Sequence, residues 1–429
     1  MTTVRNWARN QSCEPVAVER PRTTAEVAAI VAAAHAAGRT VKTIGAGHSF
    51  TPAAMTDGVL LSLEHLDRVL AVDGADVRAQ AGIELRALSE QLGRHGLAMP
   101  NLGDIDVQSL AGAIATATHG TGRALGNLAT TVVAIELVDG LGQIVRFDLE
   151  RDPVDLRTVA VGVGAFGVVT EYTIRTTPAF DLHAKERVEH LDTVIGDWDE
   201  FTRSADHAEL FFFAGDDRAL VKRNDRTDEP PRPQSRLGYL RDKYLFENVA
   251  FGTACAIGRR APSLVPTITR AFASAASERD LIDRSDRVFA SPRKVRFVEM
   301  EYGIPIDAVP DAIGRLRALV AALHHPVMLP IEVRCSAADD LAMSTGYGRE
   351  SGWIAVHQYP GMPYEFYFDG VERIMADYDG RPHWGKLHGL TAEVLAERYP
   401  RWSEAMAMRD RLDPDRTFRN AYLDAVFGE

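Results

Sequence analysis

The sequence predicts an α+β fold with more than one domain. Its 429 residues are too many for one small hydrophobic core. Over residues 1–178, short apolar runs with alternating polar positions outnumber helical patterns, which is typical of sheets with few helices. Residues 179–380 mix long helical patterns with strands and predict a second α+β domain with an antiparallel sheet. Residues 381–429 form a third, C-terminal segment.

The first region is predicted to begin with a helix. Thr23 and Glu26 form a capping-box pattern before the run VAAIVAAAHAAG, and Gly38 supplies the stop signal. The segment TVKTI is then a predicted strand that ends in the loop GAGHSF. The runs VLLSL, RVLAV and DVRAQAG predict further short strands, and residues 84–96 predict a second helix.

The end of the first region is predicted to hold three more strands. TTVVAIELVDGLGQIVRFD predicts two of them, with a turn centred on Asp139 and Gly140. GVGAFG then matches the G-x-G-x-x-G pattern of dinucleotide-binding folds, in which the glycines must open a helix. Here the continuation VVTEYTIRTTP is β-branched, alternating and closed by Pro178, so it predicts a strand and argues against a Rossmann fold.

The second region alternates between strands and longer helices. ELFFFAG and ALVKRND predict a strand pair, and RTDEPPRPQSR predicts a solvated loop. Helices are predicted over 239–258, 262–277 and 307–323. The runs KVRFVEMEYGI, VMLPIEVRC and WIAVHQY predict strands, and the tail from RPHWGKLHGL onward carries helical patterns.

The composition excludes several classes of protein. A net charge of −12 argues against binding to nucleic acid, because that affinity depends on clustered Lys and Arg. Cys13, Cys255 and Cys335 share no metal-ligand spacing and cannot all pair, which favours a reducing compartment and predicts no metal site. The N-terminus lacks the apolar stretch of a signal peptide, and no run approaches a transmembrane segment. We therefore expect a soluble cytoplasmic protein.

Two glycine-rich segments indicate a bound diphosphate. TIGAGHSF and SLAGAIATATHGTG combine small residues with hydroxyl groups and carry few charges. Backbone N–H groups in such loops can cradle a pyrophosphate, to which Ser and Thr add donors. Neither loop has the Gly-Lys-Ser/Thr of a P-loop, which argues against triphosphate hydrolysis. Each loop alone is equally consistent with a tight turn, whereas two in one small domain favour a long diphosphate ligand.

The order of the motifs resembles one flavoprotein family. GAGHS, SLAGAIATATHGTG, Glu332-x-Arg334 in IEVRC and HWGKLH follow one another along the chain. This pattern is similar to the vanillyl-alcohol oxidase type, or PCMH-type, flavoproteins, and within them to the sugar-oxidising branch of aldonolactone oxidases and dehydrogenases and alditol oxidases. The resemblance covers essentially the whole chain. It implies a two-lobed FAD-binding domain over 1–178, a cap domain for the substrate over 179–380, and a segment 381–429 that returns to the flavin.

The resemblance implies FAD as the cofactor, with a covalent bond from His48 to the 8α-methyl carbon of the flavin. A neutral imidazole is a competent nucleophile, and a glycine loop lets it reach the edge of the ring. The alternative is a histidine that only contacts FAD, as in relatives without the bond. The implied cofactor-binding residues are Ile44, Gly45, Ala46, Gly47, His48, Ser49, Ser109, Gly112, Thr116, Thr118, His119, Gly122, Gly167, Val169, His383 and Lys386.

The catalytic residues follow from the same resemblance. Lys386 and Arg334 are the cations implied near the flavin and the reacting carbon, where they would stabilise negative charge. Glu332, two residues from Arg334 on a predicted strand, shares its face and would bind substrate hydroxyls. His357 is the candidate proton relay or general base, and Ser109 would touch both flavin and substrate. Without the family, the Glu–Arg pair would be read as a solvated ion pair and His357 as a core residue.

The predicted reaction is oxidation of the C2 hydroxyl of an aldono-1,4-lactone, such as L-gulono- or D-arabinono-1,4-lactone. The ketone product enolises to an ascorbate-type enediol. An alditol oxidase acting on a polyol such as xylitol or sorbitol is the alternative; HQY in place of a His-x-Thr pattern favours the lactone. A flavin-carrying sensor without turnover is the third hypothesis, against which the complete set of charged motifs argues.

The predicted electron acceptor is oxygen, with hydrogen peroxide as product. Counting back from His119 places Gly103 at the position where lactone-specific relatives carry an oxygen gatekeeper. Alanine there is associated with dehydrogenases and glycine with oxidases, because one methyl group can close a narrow path in a tightly packed interior. The alternatives are that Gly103 only serves a turn, and that a dehydrogenase passes electrons to another acceptor.

Overall fold

The structure is a computed structural model that describes residues 3–275 and 278–428. Its strands, in chain order, are β1 Val4–Arg5, β2 Ser12–Cys13, β3 Ala17–Glu19, β4 Val41–Ile44, β5 Val59–Ser62, β6 Val69–Asp73, β7 Asp76–Gln80, β8 Leu97–Ala98, β9 Val132–Val138, β10 Ile144–Asp148, β11 Val168–Arg175, β12 Thr177–Pro178, β13 Asp181–His190, β14 His207–Phe212, β15 Arg218–Thr227, β16 Arg279–Arg284, β17 Val298–Pro305, β18 Ile331–Ser336, β19 Ser351–Gln358 and β20 Arg381–Pro382.

The α-helices are α1 Thr24–Ala36, α2 Leu85–Arg94, α3 Leu110–Ala115, α4 Pro153–Val159, α5 Leu191–Gly196, α6 Trp198–Arg203, α7 Arg236–Tyr239, α8 Phe251–Arg260, α9 Val265–Ala275, α10 Ser285–Phe289, α11 Val309–Ala322, α12 Glu365–Ala376, α13 Ala392–Arg398, α14 Trp402–Leu412 and α15 Ala421–Phe427. Short 3₁₀ turns occupy Leu128–Thr131, Pro262–Leu264 and Ile306–Ala308, and Leu240–Ala250 is a π-helix. None of the helices in the described ranges has both the length and the apolar character needed to cross a bilayer.

The capping-box pattern does start the first helix. The Thr23 hydroxyl accepts the N–H of Glu26 at 3.1 Å, and the Glu26 carboxylate accepts the N–H of Arg22 at 2.6 Å. Both bonds satisfy backbone donors that have no partner inside the helix. Val27 and Val31 of this helix are fully buried in the core of the first region.

The first region contains two main sheets on one core. Strands β3, β5 and β4 form a small parallel sheet, and β10, β9, β11, β7 and β6 form an antiparallel one in that order. The strand that follows GVGAFG is β11, at the centre of the antiparallel sheet, so the predicted strand is confirmed. The chain after 390 returns to this region, since Leu395, Tyr399 and Leu423 are fully buried in the same core.

The second region is built on one eight-stranded antiparallel sheet, in the order β16, β13, β15, β14, β18, β19, β17, β20. Helices α11 and α12 pack on it through residues such as Leu316 and Val371. Every residue of β18 and β19 is buried, including the charged side chains of Glu332 and Arg334. The α+β class with an antiparallel second sheet is confirmed.

The helix predicted over 239–258 differs in detail from the structure. It consists of α7, the π-helix and α8, which continue into one another from Arg236 to Arg260. A π-helix closes hydrogen bonds five residues apart and has no distinct sequence signal. The helix predicted over 262–277 is a 3₁₀ turn followed by α9, and residues 276 and 277 lie outside the described residues.

Candidate functional site

Two neighbouring cavities share part of their walls. The first, the glycine-lined cavity, holds about 1200 Å³ of space, open solvent included, and most of its lining consists of small or apolar residues. Of the residues that the sequence singles out, it is lined by Ile44, Gly45, Ala46, Gly47, His48, Ser49, Ser109, Gly112, Thr116, Gly167 and Val169.

The glycines of this cavity are sterically required. A Cβ on Gly45 would stand 2.1 Å from the Ser109 hydroxyl oxygen, so the two glycine-rich loops can meet only if position 45 has no side chain. Gly47 has a φ of +69°, in the left-handed region that other residues rarely adopt. Ser109 caps α3 by accepting the N–H of Gly112 at 3.3 Å. At these glycine positions the loops therefore present backbone to the cavity.

The charge of this wall suits a diphosphate. Among its lining residues, all within the described ranges, Lys42 is the single Lys, Arg, Asp or Glu. The ammonium group donates to the carbonyl oxygens of Gly164 at 3.0 Å and Phe418 at 3.2 Å. Burial, with the nearby Arg409, lowers the pKa of Lys42 to about 7. With no carboxylate among its described lining residues, the cavity fits an anionic ligand such as the diphosphate of FAD, whose negative charge would favour the protonated form of Lys42.

The second cavity, here called the charged cavity, adjoins the first and holds about 1190 Å³ of space, open solvent included. The two share His48, Ser49, Gln108 and Thr116. Of the residues that the sequence singles out, the charged cavity also takes Gly103, Thr118, His119, Glu332, Arg334, His357, His383 and Lys386. Gly122 lines neither cavity: its N–H donates to the carbonyl oxygen of Cys335 and ties the second glycine-rich loop to β18.

Lys386 and His357 meet on one carboxylate, that of Glu299. The β17–β19 register places Glu299 directly opposite His357, whose Nε2 lies 3.4 Å from Glu299 Oε1. The ammonium group of Lys386 forms a short ion pair with the same oxygen. Burial alone would raise the pKa of Glu299, but Lys386 and His357 lower it to about 2. Glu299 is therefore ionised at neutral pH.

The same carboxylate keeps both of its partners basic. Burial lowers the pKa of Lys386, and Glu299 with Glu301 more than offsets this, so the pKa rises above its ordinary value. For His357 the balance is the same: burial lowers the pKa, and Glu299 raises it above 6.5. Lys386 is consequently a permanent cation at neutral pH, which places a fixed positive charge in the cavity.

The hydrogen bonds of His357 determine its tautomer. Its Nδ1 lies 2.9 Å from the carbonyl oxygen of Pro330, which can only accept. Nδ1 therefore carries a proton, and the neutral ring has its lone pair on Nε2. Because Nε2 is the atom beside Glu299 in the charged cavity, deprotonated His357 can accept a proton there.

Arg334 is held between two carboxylates. Its Nε donates to Glu209 of β14 at 2.8 Å, and its Nη2 forms a short ion pair with Glu332 on its own strand. Burial, with the charges of Glu209 and Asp104, raises the pKa of Glu332 despite this pairing with Arg334. Burial also raises the pKa of Glu209, but Lys222 and Arg334 lower it to about 2. The guanidinium group is thus fixed in orientation inside the cavity.

A further contact between a histidine and a carboxylate lies in the wall of the charged cavity. His119 Nε2 is 3.5 Å from Glu301 Oε1, and the His119 ring stacks on Trp353 with centroids 3.7 Å apart. His383 lies next to them, and burial lowers its pKa to about 3, so the ring is neutral. Its Nδ1 accepts the N–H of Gly385 at 3.0 Å, which orders the HWGK segment.

His48 stands where the two cavities meet. Burial, assisted by the charge of Lys386, lowers the pKa of His48 to about 4, so the imidazole is neutral at neutral pH. The ring stacks on Trp7 at a centroid distance of 5.1 Å. Neutral imidazole is the nucleophilic form of histidine, and this position gives it access to a ligand that spans both cavities.

Sequence reasoning missed three buried carboxylates, Glu209, Glu299 and Glu301. The signal for the last two was present: in VEMEY two glutamates alternate with apolar residues inside a strand, and all of β17 except its last residue is buried. Burial of a charge requires a partner, so such glutamates indicate nearby cations. Glu209 precedes LFFF in β14 and gives the same signal.

The described fold is that of a known class of flavoenzymes. Cholesterol oxidase from B. sterolicum superimposes with a TM-score of 0.84 over 99% of this chain and 96% of its own, at 20% identity. Residues 15–148 match the model of the FAD binding domain. The chain therefore carries an FAD-binding domain, and the resemblance to vanillyl-alcohol oxidase type flavoproteins is confirmed.

The sequence relatives narrow the class to one family. Residues 172–426 match the model of D-arabinono-1,4-lactone oxidase, and the chain belongs to this family. L-gulono-1,4-lactone dehydrogenase of Mycobacterium tuberculosis is 44% identical over 99% of this chain and 98% of its own. L-gulonolactone oxidase of Scyliorhinus torazame is 32% identical over 98% and 97%. D-arabinono-1,4-lactone oxidase of Yarrowia lipolytica is 28% identical over 77% of this chain and 66% of its own.

Proposed function

We propose that the protein oxidises the C2 hydroxyl of an aldono-1,4-lactone in an FAD-dependent reaction. The observation that carries the proposal is the junction of the cavities at His48, beside a charged cavity that brings Lys386, Arg334, Glu332 and His357 together. Family membership and the lactones in the names of the relatives support the substrate class. L-gulono- and D-arabinono-1,4-lactone are the substrates to test first.

The division of labour follows the two cavities. Residues 1–178 would form the FAD-binding domain, residues 179–380 the cap domain, and 381–429 the segment that brings Lys386 to the site. The glycine-lined cavity would hold the diphosphate near Lys42, with the ring system reaching towards His48. Bound FAD would supply the acceptor for the hydride that leaves C2.

Binding of the lactone is assigned to the Glu332–Arg334 pair. A polyhydroxylated ring needs several donors and acceptors in fixed positions, and the planar guanidinium group with its two carboxylates provides them. Holding Arg334 from both sides removes the freedom that would otherwise be lost on binding. Lys386 adds a fixed positive charge that stabilises negative charge developing at the reacting centre.

His357 is assigned as the general base. In its neutral form Nε2 is the acceptor that takes the proton of the C2 hydroxyl as the carbonyl group forms. Glu299 increases the basicity of this nitrogen and stabilises the imidazolium ion that results. The bond to Pro330 keeps the ring oriented throughout, since Nδ1 donates in both protonation states.

We also propose a covalent bond between His48 and the flavin, and oxygen as the electron acceptor. The lowered pKa of His48 supports the bond, which acid precipitation tests: a covalent flavin leaves the pellet yellow, and a supernatant with all the colour would contradict it. Gly103 in the wall of the charged cavity supports oxygen. The names of the relatives include both oxidases and a dehydrogenase.

The test is anaerobic mixing of the holoprotein with L-gulono-1,4-lactone, D-arabinono-1,4-lactone, xylitol and sorbitol. We expect the yellow flavin band to bleach with a lactone and to persist with the polyols. Bleaching by polyols alone would assign the chain to alditol oxidation. Persistence of the band with every substrate would remove the proposed oxidation and favour a flavin-carrying protein without turnover.

A further inference from the structure

In the first part of the helical run, residues 236–250, apolar side chains are exposed while Asp242 and Asn248 are buried. Several of its exposed positions carry large apolar side chains: Leu237 is 81% exposed, and Leu245 and Val249 are each 60% exposed. Of the thirteen large hydrophobic residues that are exposed in the described ranges, eight lie between 237 and 264. Exposed leucines scattered singly are ordinary, whereas a concentration on one short segment marks an interaction surface.

The exposed residues follow one stripe. Positions 237, 240 or 241, 245, 249, 253 and 257 recur every three to five residues and are all exposed, as expected for one face of a continuous helix. Leu237, Leu240, Leu245, Val249 and Ile257 are the apolar members. We call this face the outer stripe.

Between residues 236 and 250 the opposite face carries polar side chains that are held by hydrogen bonds, whereas in α8 the inner face is apolar, with Cys255 fully buried in a hydrophobic cluster. Lys243 donates to the hydroxyl oxygen of Ser291 at 3.0 Å, and Asn248 donates to the carbonyl oxygen of Pro292 at 3.0 Å. Glu247, Asn248 and Phe251 also line the charged cavity. Rotating the helix to hide the outer stripe would break these bonds and expose the lining of the cavity. The apolar face is therefore fixed towards the outside.

The charge around the outer stripe has one sign. Residues 236–270 contain six Lys and Arg against two acids, a net charge of +4 in a chain whose net charge is −12. Five arginines in this segment are exposed, at 236, 241, 259, 260 and 270. The two acids, Asp242 and Glu247, are not: Asp242 is buried and Glu247 is half-buried on the inner face. Asp242 nevertheless pairs with Arg241, whose Nε lies 2.7 Å from Asp242 Oδ1, so the cationic surface beside the apolar stripe is formed by Arg236, Arg259, Arg260 and Arg270.

We infer that the outer stripe docks on an anionic lipid surface. An interfacial helix inserts apolar side chains at the boundary between headgroups and acyl chains, with arginines that meet lipid phosphates. The outer stripe and four arginines, Arg236, Arg259, Arg260 and Arg270, supply both parts. A second copy of the chain suits the surface less well, since a two-fold contact would place arginines against arginines. The inference does not depend on the proposed reaction.

The experiment is co-sedimentation of the full chain with vesicles of phosphatidylglycerol and phosphatidylcholine, alone and mixed. We expect binding to the anionic vesicles, weaker binding to neutral ones, and loss of bound protein as salt screens the arginines. Each cation near an anionic surface contributes roughly a fivefold change in partition, so Arg236→Gln with Arg260→Gln should weaken binding by an order of magnitude or more.

The apolar part is tested by the triple variant Leu237→Gln, Leu245→Gln, Val249→Gln. Glutamine keeps helix propensity, and these side chains are exposed, so the fold should persist. Val154→Gln with Phe366→Gln, which removes exposed apolar groups elsewhere, is the matched control. We expect the triple variant to lose vesicle binding and the control to retain it.

Three results would overturn the inference. One is a wild-type chain that binds no vesicle at low salt. Another is equal loss in the triple variant and the control. The third is a dimer, seen by sedimentation velocity without lipid, that the triple variant dissociates, which would assign the outer stripe to a second copy of the chain.

Discussion

The two cavities achieve specificity by opposite means. The glycine-lined cavity is formed mostly by small and apolar residues of the first region, and its wall carries one charged residue among those described, Lys42. The charged cavity is made of side chains from β14, β17, β18 and β19 and the HWGK segment, each ion held by another. Where the loops of the glycine-lined cavity approach each other closely, an added side chain would clash. In the charged cavity, removal of one ion would leave its partner buried and unpaired. The two should therefore fail differently when mutated.

The largest effect is expected where the charged cavity loses a cation. Lys386→Ala and Arg334→Ala should each slow anaerobic flavin reduction by about two orders of magnitude or more, as when a preorganised charge is removed from a reacting centre. Glu332→Ala should chiefly weaken substrate binding and thus raise KM. Stopped-flow reduction by the lactone measures these effects.

Lys185→Ala is the matched control, because Lys185 lies on β13 of the same sheet but lines neither cavity. The flavin of this variant should be reduced by the lactone at the wild-type rate. A thermal melt separates catalysis from folding, since removing Arg334 leaves two buried carboxylates facing each other. Near-wild-type reduction in both cation variants would remove them from the active site.

The sequence could predict the local patterns of the first region, but not the partners of the ions in the charged cavity. The glycine loops, the strand after GVGAFG and the helix capped by Thr23 are local patterns, and the structure contains all three. The partners of the charged residues are not local: Glu209 meets Arg334 across strands 125 residues apart in sequence. A single sequence contains no register between such strands, so the cations and Glu332 were predicted through the family, whereas Glu209, Glu299 and Glu301 were not.

The π-helix shows a second limit of prediction from a single sequence. Its residues carry an ordinary helical pattern, and the predicted span 239–258 lies within the observed run. What the pattern could not give is which face points inward. That face is determined by Ser291 and Pro292, which come from a distant segment and accept its polar side chains. Tertiary contacts have here overridden the usual burial of the apolar face.

The glycine-lined cavity should be sensitive to a single methyl group. Gly45→Ala places a Cβ 2.1 Å from the Ser109 hydroxyl oxygen, so the two loops must separate. Overpacking of this kind costs about 1–3 kcal/mol, or roughly fivefold to 150-fold in FAD affinity. The ratio of FAD to protein after gel filtration measures it, and Ser109→Gly in the same chain should restore part of the loss.

Gly314→Ala is the control for the added methyl group. Gly314 lies exposed in α11 with no atom within 4 Å of a new Cβ, so alanine should leave FAD content unchanged and stabilise the helix. If Gly45→Ala bound FAD as tightly as the wild type, the loops would not need their close approach and the proposed cradle would be wrong.

A shift in pH dependence is the next expected effect. A general base works when deprotonated, so kcat/KM should fall as the pH drops through the pKa of His357, which Glu299 raises above 6.5. Glu299→Gln removes the main cause that raises this pKa and leaves burial, which lowers it. The acid limb of the profile should therefore move to lower pH.

Glu301→Gln is the matched control for this profile. Glu301 lies two residues away on β17 and pairs with His119 instead of His357. Its variant should keep the position of the acid limb even if the rate falls. An acid limb that stays fixed in Glu299→Gln would mean that another group, such as Glu332, accepts the proton.

The substitution Gly103→Ala should test whether oxygen is the electron acceptor. A Cβ on Gly103 would lie 3.2 Å from the carbonyl oxygen of His119 and 3.5 Å from Thr118 Cγ2, so Gly103→Ala fits after shifts of a few tenths of an ångström. The methyl group would narrow the charged cavity beside the flavin edge. We expect reoxidation of the reduced protein by dissolved oxygen to slow several-fold, while anaerobic reduction by the lactone keeps its wild-type rate.

Measuring reduction and reoxidation separately distinguishes a blocked path for oxygen from a general distortion of the active site. A methyl group that distorted the His119–Glu301 end of the cavity would slow reduction as well, whereas a gate affects only the approach of oxygen. The rates of both half-reactions are therefore compared with those of the wild type. If the reduced wild type already reacts slowly with oxygen, and Gly103→Ala reacts at the same slow rate, position 103 controls nothing and the chain is a dehydrogenase. Its electrons would then pass to a dye, quinone or cytochrome added in place of oxygen.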